Sequence, residues 1–210
     1  EALQVGNQIW VSDQLEDRIY RFDSSGTLVG TISGGLDNIR GMEIVGNTVY
    51  VSNDGSNNGA PGPSIVTIDA TTASITGSFG RTSTQMGAFD VLRVGNELYV
   101  SNIETGFDAV DRYDFAGNYL GSLVTSDGVS SFDFLQQLAL RGNGNILGAA
   151  FSTPSGIYEF TPGGIDLGTI IAGSGARGVV ELGDGTVMWS NGDGIWIDEL
   201  LVYDFGSAGY

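Results

Sequence analysis

Apolar residues along this chain come in short alternating bursts, separated by glycine-rich punctuation. Leu3–Asp13 reads LQVGNQIWVSD, Glu43–Asn53 reads EIVGNTVYVSN, and Leu92–Asn102 reads LRVGNELYVSN. Alternation with a period of two turns successive side chains to opposite faces, which is the signature of a half-buried strand. The Gly-Asn pair between two such bursts is a hairpin turn, because a tight turn between strands needs positive φ. Two looser copies follow, Ala139–Ala149 (ALRGNGNILGA) and Val180–Asn191 (VELGDGTVMWSN). The shared glycines are Gly6, Gly46, Gly95, Gly142 and Gly183, separated by 40, 49, 47 and 41 residues. A period of that length is the period of a propeller blade.

Each copy has a sequel with a second pair of strands around a turn: Arg18–Ile32, Ile65–Phe79, Val110–Leu123 and Ile157–Ile170. Two pairs per period make four antiparallel strands per blade. The expected fold is therefore all-β, a single propeller of about five four-stranded blades over residues 1–33, 34–80, 81–125, 126–172 and 173–210. Ser131–Leu138 is the only stretch that reads as a helical turn. In the fifth copy Leu200–Phe205 reads as a third strand, which leaves Gly206–Tyr210 for a fourth. The last blade is thus expected to be incomplete. An open blade edge is a template for a strand from a partner or from a second copy. The alternative is a short edge shielded by Asp198 and Glu199.

The first of these copies resembles an NHL repeat. Ile9–Ile32 reads IWVSDQLEDRIYRFDSSGTLVGTI, and the matching positions are Val11, Asp13, Arg18, Ile19, Phe22, Asp23 and Gly26. Later copies depart from it: Asp13 becomes Asn53, Asn102 and Asn191, and Arg18 has no clear counterpart in the second. The resemblance covers nearly the whole chain and implies a propeller. It leaves function open, because NHL-like propellers include binding modules, scaffolds and enzymes.

Composition narrows the function. The chain has 210 residues, 34 of them glycine, with 8 Lys+Arg against 25 Asp+Glu and a formal net charge of −17. All eight cations are arginine. Such a surface repels nucleic acid and anionic lipid, keeps a β-rich protein soluble, and suits salty surroundings. No run reaches the roughly 20 apolar residues of a membrane helix. The sequence begins at Glu1 rather than Met, for which removal of a secretion signal, and so an extracellular location, is the simplest expectation, with a cloning boundary or a proteolytic fragment as the alternatives.

With no histidine, lysine or cysteine, Ser-His-Asp catalysis, histidine-bound zinc, Schiff bases and thiolate nucleophiles are excluded. Carboxylate chemistry survives. Glu43 and Glu181, on inner strands of different blades, are a candidate pair for glycoside hydrolysis. A gluconolactonase-like site would instead gather Glu, Asn and Asp around a divalent cation.

The repeat groups two sets of blade-top residues. The strand-end set is Asp13, Asn53, Asn102 and Asn191; the set at the start of inner strands is Arg40, Asp90, Gln137 and Arg177. Arg40 and Arg177 each precede glycine and have the chemistry to hold a carboxylate or sulfate. The alternative is that they pair with Asp90 and other acids. Strand-end Asn and Asp commonly bond their own loop backbone. The other reading is Ca²⁺, for which Asn53, Asp54, Asn57 and Asp193 have the oxygens; no other cofactor is expected. Trp10, Tyr50, Tyr99 and Trp189 recur at nearly one repeat position, as packing residues would, whereas Trp196 and Tyr210 are expected to be exposed. The leading expectation is a non-enzymatic extracellular interaction, structural or assembly module, with contacts through the last blade. The alternatives are a Ca²⁺-dependent lactone or sugar hydrolase and a carbohydrate-binding module.

Overall fold

The computed structural model describes residues 1–127, 131–152 and 154–204. Five four-stranded antiparallel sheets are the blades of a β-propeller, and each follows chain order from its inner strand outward. The first contains β1 (Ala2–Val5), β2 (Gln8–Asp13), β3 (Arg18–Asp23) and β4 (Leu28–Ser33). The second contains β5 (Ile39–Val45), β6 (Thr48–Asn53), β7 (Ser64–Asp69) and β8 (Ser74–Phe79). The third contains β9 (Ala88–Val94), β10 (Glu97–Asn102), β11 (Ala109–Asp114) and β12 (Tyr119–Thr125). The fourth contains β13 (Asp133–Leu140), β14 (Ile146–Ser152), β15 (Gly156–Phe160) and β16 (Asp166–Ala172). The fifth contains β17 (Gly178–Glu181), β18 (Val187–Ser190), β19 (Gly194–Ile197) and β20 (Leu200–Asp204).

Two sequence expectations are corrected. The last blade is complete, because Gly194–Ile197 and Leu200–Asp204 are its third and fourth strands and pair with each other. They are joined through Asp198–Glu199, and Asp198 supplies the positive φ of 48° that a glycine would normally provide. The fourth strand assigned to Gly206–Tyr210 lies outside the described residues. Ser131–Leu138 is no helical turn: Asp133–Leu140 is the inner strand β13, with a register shift between Leu135 and Gln137 that breaks its alternation.

The chain forms two compact units, Glu1–Val100 with Arg112–Leu120, and Ser101–Asp111 with Gly121–Tyr210. In the first unit Trp10, Ile19 and Ile32 of the first blade pack against Ile39, Met42, Val49 and Val51 of the second. The other face of the second blade puts Tyr50 and Ile65 against Ala88, Val91, Leu98 and Tyr113. In the second unit Val179, Val187 and Trp189 of the fifth blade pack back onto Leu147, Ala149 and Ile157 of the fourth. Each of these three seams is thus a sandwich of alternating strand residues, and this burial drives the fold of each unit.

Candidate functional site

The strand-end residues organise their loops. Asn53 is fully buried. Its Oδ1 accepts the Asp37 N–H at 2.8 Å, and its Nδ2 donates to the carbonyls of Gly55 and Gly62 at 2.8 and 2.9 Å. Asn102 donates to Asp111 Oδ2 at 3.0 Å and accepts the Glu104 N–H at 3.1 Å. Asn191 Oδ1 accepts the N–H groups of Asp193 and Gly194 at 2.9 and 3.0 Å. Asp13 Oδ1 accepts those of Leu15 and Glu16 at 3.0 and 3.1 Å. Each side chain closes the loop after its own strand, as the loop-bonding reading expects.

The residues considered for Ca²⁺ have contacts of the same kind. Asp54 Oδ2 faces Arg40 Nη1 at 3.2 Å, Asn57 donates its backbone N–H to Asp37 Oδ2 at 2.6 Å, and Asp193 Oδ2 accepts from Asn191 Nδ2 at 3.4 Å. A cation would have to displace Arg40 to use Asp54. Among the described residues, no three His, Cys, Asp or Glu side chains are gathered to hold a metal.

The inner-strand set divides by role. In the first unit Asp90 is buried against Gly41, where a Cβ would lie 2.1 Å from its Oδ1. The glycine after Arg40 is therefore demanded by close approach of the next blade. Arg40 stacks 4.3 Å from the Phe89 ring centroid and pairs with Asp54. Burial pulls its guanidinium below its ordinary value, against the charge of Asp54. In the second unit Gln137 Oε1 accepts the Val179 N–H at 2.7 Å and ties two inner strands together. Arg177 is different: it is exposed and stacks 4.9 Å from the Phe151 ring centroid. Phe151 in turn lies 5.9 Å from Phe134, at 55°. Phe134 holds a φ of +54°, a conformation that costs a bulky residue on the order of 1–3 kcal/mol.

The candidate hydrolytic carboxylates are engaged within their own units. Glu43 Oε2 accepts the Arg93 N–H at 2.8 Å. Glu181 Oε1 meets Arg141 Nε at 3.0 Å, and its other oxygen accepts the Gly142 N–H. Arg141 also pairs with Glu159 at 2.9 Å. Burial works against the Glu159 carboxylate, yet hydrogen bonds from Asn145 and Asn143 and the charge of Arg141 outweigh it and hold it below the usual range.

Sequence reasoning passed over the serine before each strand-end Asp or Asn. Ser12 Oγ donates to the Arg40 carbonyl at 2.6 Å, and Ser52 Oγ donates to the Phe89 carbonyl at 2.7 Å. Each bond joins one blade to the inner strand of the next. The signal was present in the repeat, where serine stands at 12, 52, 101 and 190. The aromatics Trp10, Tyr50, Tyr99 and Trp189 are buried, as packing residues are. Trp196 is half-buried rather than exposed, because it stacks on Trp189 at 5.5 Å; Tyr210 lies outside the described residues.

Among the described residues, one face of the fifth blade and one of the first carry exposed apolar side chains. In the fifth blade Val180 lies opposite Met188, on the face that carries Ser190 and corresponds to the face of Trp10 and Ser12. Val180 is 42% exposed. It borders a cavity of about 260 Å³ that is also lined by Met188, Ser190 and Ile195. Among the described residues Ser190 Oγ has no partner. In the first blade the face opposite to Trp10 carries Ile9 (39% exposed) and Leu28 (50% exposed), with half-buried Val11, Tyr20 and Phe22 between them.

These features belong to a β-propeller, and comparison with known proteins supports that class. The chain resembles a gluconolactonase-like protein (TM-score 0.72, 13% identity, 93% of this chain and 72% of the other). It also resembles virginiamycin B lyase from Staphylococcus aureus (TM-score 0.68, 11% identity, 93% and 64%). A third likeness is to Kuenenia stuttgartiensis hydrazine synthase (TM-score 0.68, 15% identity, 89% and 53%). The chain therefore spans about half to two thirds of the last two. At these identities the likeness is one of fold. No family model and no curated protein matches the chain.

Proposed function

We propose that this chain is a non-enzymatic, extracellular interaction and assembly module of NHL-like type, which associates with a second copy through the forward face of its last blade. The observation that carries this reading is the apolar face around Val180, Met188 and Ile195, with Ser190 at its rim. In the first and second blades the same face is covered by the next inner strand, and the serine bonds its carbonyl. In the fifth blade the same chemistry faces outward. The matching surface is the face of the first blade that carries Ile9, Val11, Tyr20, Phe22 and Leu28, offered by another copy. Burying one such aliphatic side chain contributes about 1.5–3 kcal/mol, so a handful of them suffices for association. The edge-strand mechanism expected from an incomplete blade gives way to packing of one blade face on another.

The hydrolase reading draws on the same fold, but its acids serve other contacts: Glu43 receives a backbone N–H from Arg93, and Glu181 is clamped by Arg141. The acidic, lysine-free surface suits the extracellular setting proposed here.

The chain has no cysteine, so a single Val180→Cys reports cleanly on the face. The thiol should be modified more slowly as protein concentration rises, because another copy covers it. A modification rate independent of concentration would count against the assembly.

A further inference from the structure

We propose that Arg177, with Phe151 and Phe134, forms a binding site for a carboxylate-bearing ligand. The second and fifth blades are built on one frame. In the second blade Arg40-Gly41 begins the inner strand and Ser52-Asn53-Asp54 ends the adjacent strand; in the fifth, Arg177-Gly178 faces Ser190-Asn191-Gly192. Met42 lies opposite Val51 and Val179 lies opposite Trp189, each partner standing just before the strand-end serine, and each arginine stands two residues before its pair. The two arginines therefore stand at matching places. Asp54 neutralises Arg40 at 3.2 Å. The corresponding position in the fifth blade is Gly192, which has no carboxylate to offer. The next acid, Asp193, turns its Oδ2 to Asn191 Nδ2 at 3.4 Å.

Arg177 is thus left exposed, and among the described residues it has no ion-pair partner, in a chain with 25 acidic residues. Its backbone N–H is fixed to the Ser190 carbonyl at 2.8 Å, and its guanidinium lies over the Phe151 ring. Stacking orients the fork of donors while leaving its edge open for a bidentate carboxylate. Phe151 is itself 36% exposed, and Phe134 beside it holds its left-handed backbone. Strained residues of this kind gather at ligand sites. The two rings give an apolar floor beside the cation, so the ligand that fits has a carboxylate next to a flat apolar body. Repulsion from the acidic surface is screened beyond about 8 Å at physiological ionic strength, so the local guanidinium decides the sign.

Benzoate and its neutral isostere benzamide are the probes, followed by NMR on the Arg177 Nε–H and the Phe151 ring in 0.15 M salt. Benzoate should give saturable shifts, with benzamide at least tenfold weaker. Arg177→Gln should abolish the benzoate response. Gly192→Asp should weaken it at least tenfold by restoring the internal partner that Arg40 has. A Cβ at Gly192 meets nothing within 4 Å, so that variant should fold. Equal binding of benzoate and benzamide would overturn the proposal. So would an unsaturable response, or wild-type affinity in either variant. None of these results bears on association through Val180 and Met188, so the two readings fail separately.

Discussion

Ser52 Oγ donates to the Phe89 carbonyl at 2.7 Å and accepts the Gly41 N–H at 2.7 Å, so a single hydroxyl joins the second strand of one blade to two inner strands. Removing it deprives the buried Gly41 N–H of this acceptor and cuts the tie to the next inner strand. Ser52→Ala should therefore cost about 1–3 kcal/mol. Ser190→Ala should stay within about 0.5 kcal/mol, because its hydroxyl has no such bond among the described residues. Urea denaturation of the two variants checks the difference. Equal losses would show that the serine acts within its own blade and is no link to the next.

Asn53 is the hub of the long loop that follows it. Asn53→Ala deletes three bonds and leaves the Asp37 N–H unsatisfied in a buried setting. The expected loss is about 2–3 kcal/mol, together with faster proteolytic cleavage between residues 54 and 63. Wild-type stability and wild-type cleavage would remove Asn53 from that role.

Acid should weaken the turns after the third strands. Asp23 is held below the ordinary carboxylate value chiefly by the Ser25 hydroxyl, Asp69 by the Thr72 N–H, and Asp114 by the Asn118 side chain. A depressed folded pKa contributes stability that is present above the unfolded value of about 3.9 and is lost as pH falls through the folded value. NMR titration should place all three midpoints below about 3.9. Asp108 should titrate higher, because burial raises it and the charge of Asp133 adds to the shift. Midpoints in the reverse order would contradict these turn geometries.

What the sequence made legible follows from how each turn is built. Gly-Asn and Asp-Gly turns announce themselves by residue type, and period-two alternation then locates the strands on either side. The fifth blade hid its last hairpin because Asp198, a residue with a Cβ, holds the left-handed turn conformation. The inner strand β13 looked helical because Phe134 has positive φ and the register slips between Leu135 and Gln137. Alternation breaks where the backbone does. The loop-bonding role of Asn53 and Asn191 was readable from their chemistry. The recurring serine was visible in the repeat, but its partner was not, because a hydroxyl acts on whatever carbonyl the next blade presents, and no local pattern encodes that neighbour. The contrast between Arg40 and Arg177 rests on Asp54 against Gly192, and it acquires meaning only once the two blades are superposed by register.

The central claim is association through the forward face of the last blade, and native mass in solution across a concentration series tests it most directly. The wild-type chain should pass from one copy to a larger species as concentration rises. Met188→Glu, which places a charge on that face beside Val180, should keep it at one copy while its circular dichroism stays unchanged. A wild-type mass of a single copy at every concentration, or an assembly that Met188→Glu leaves intact, would contradict the account.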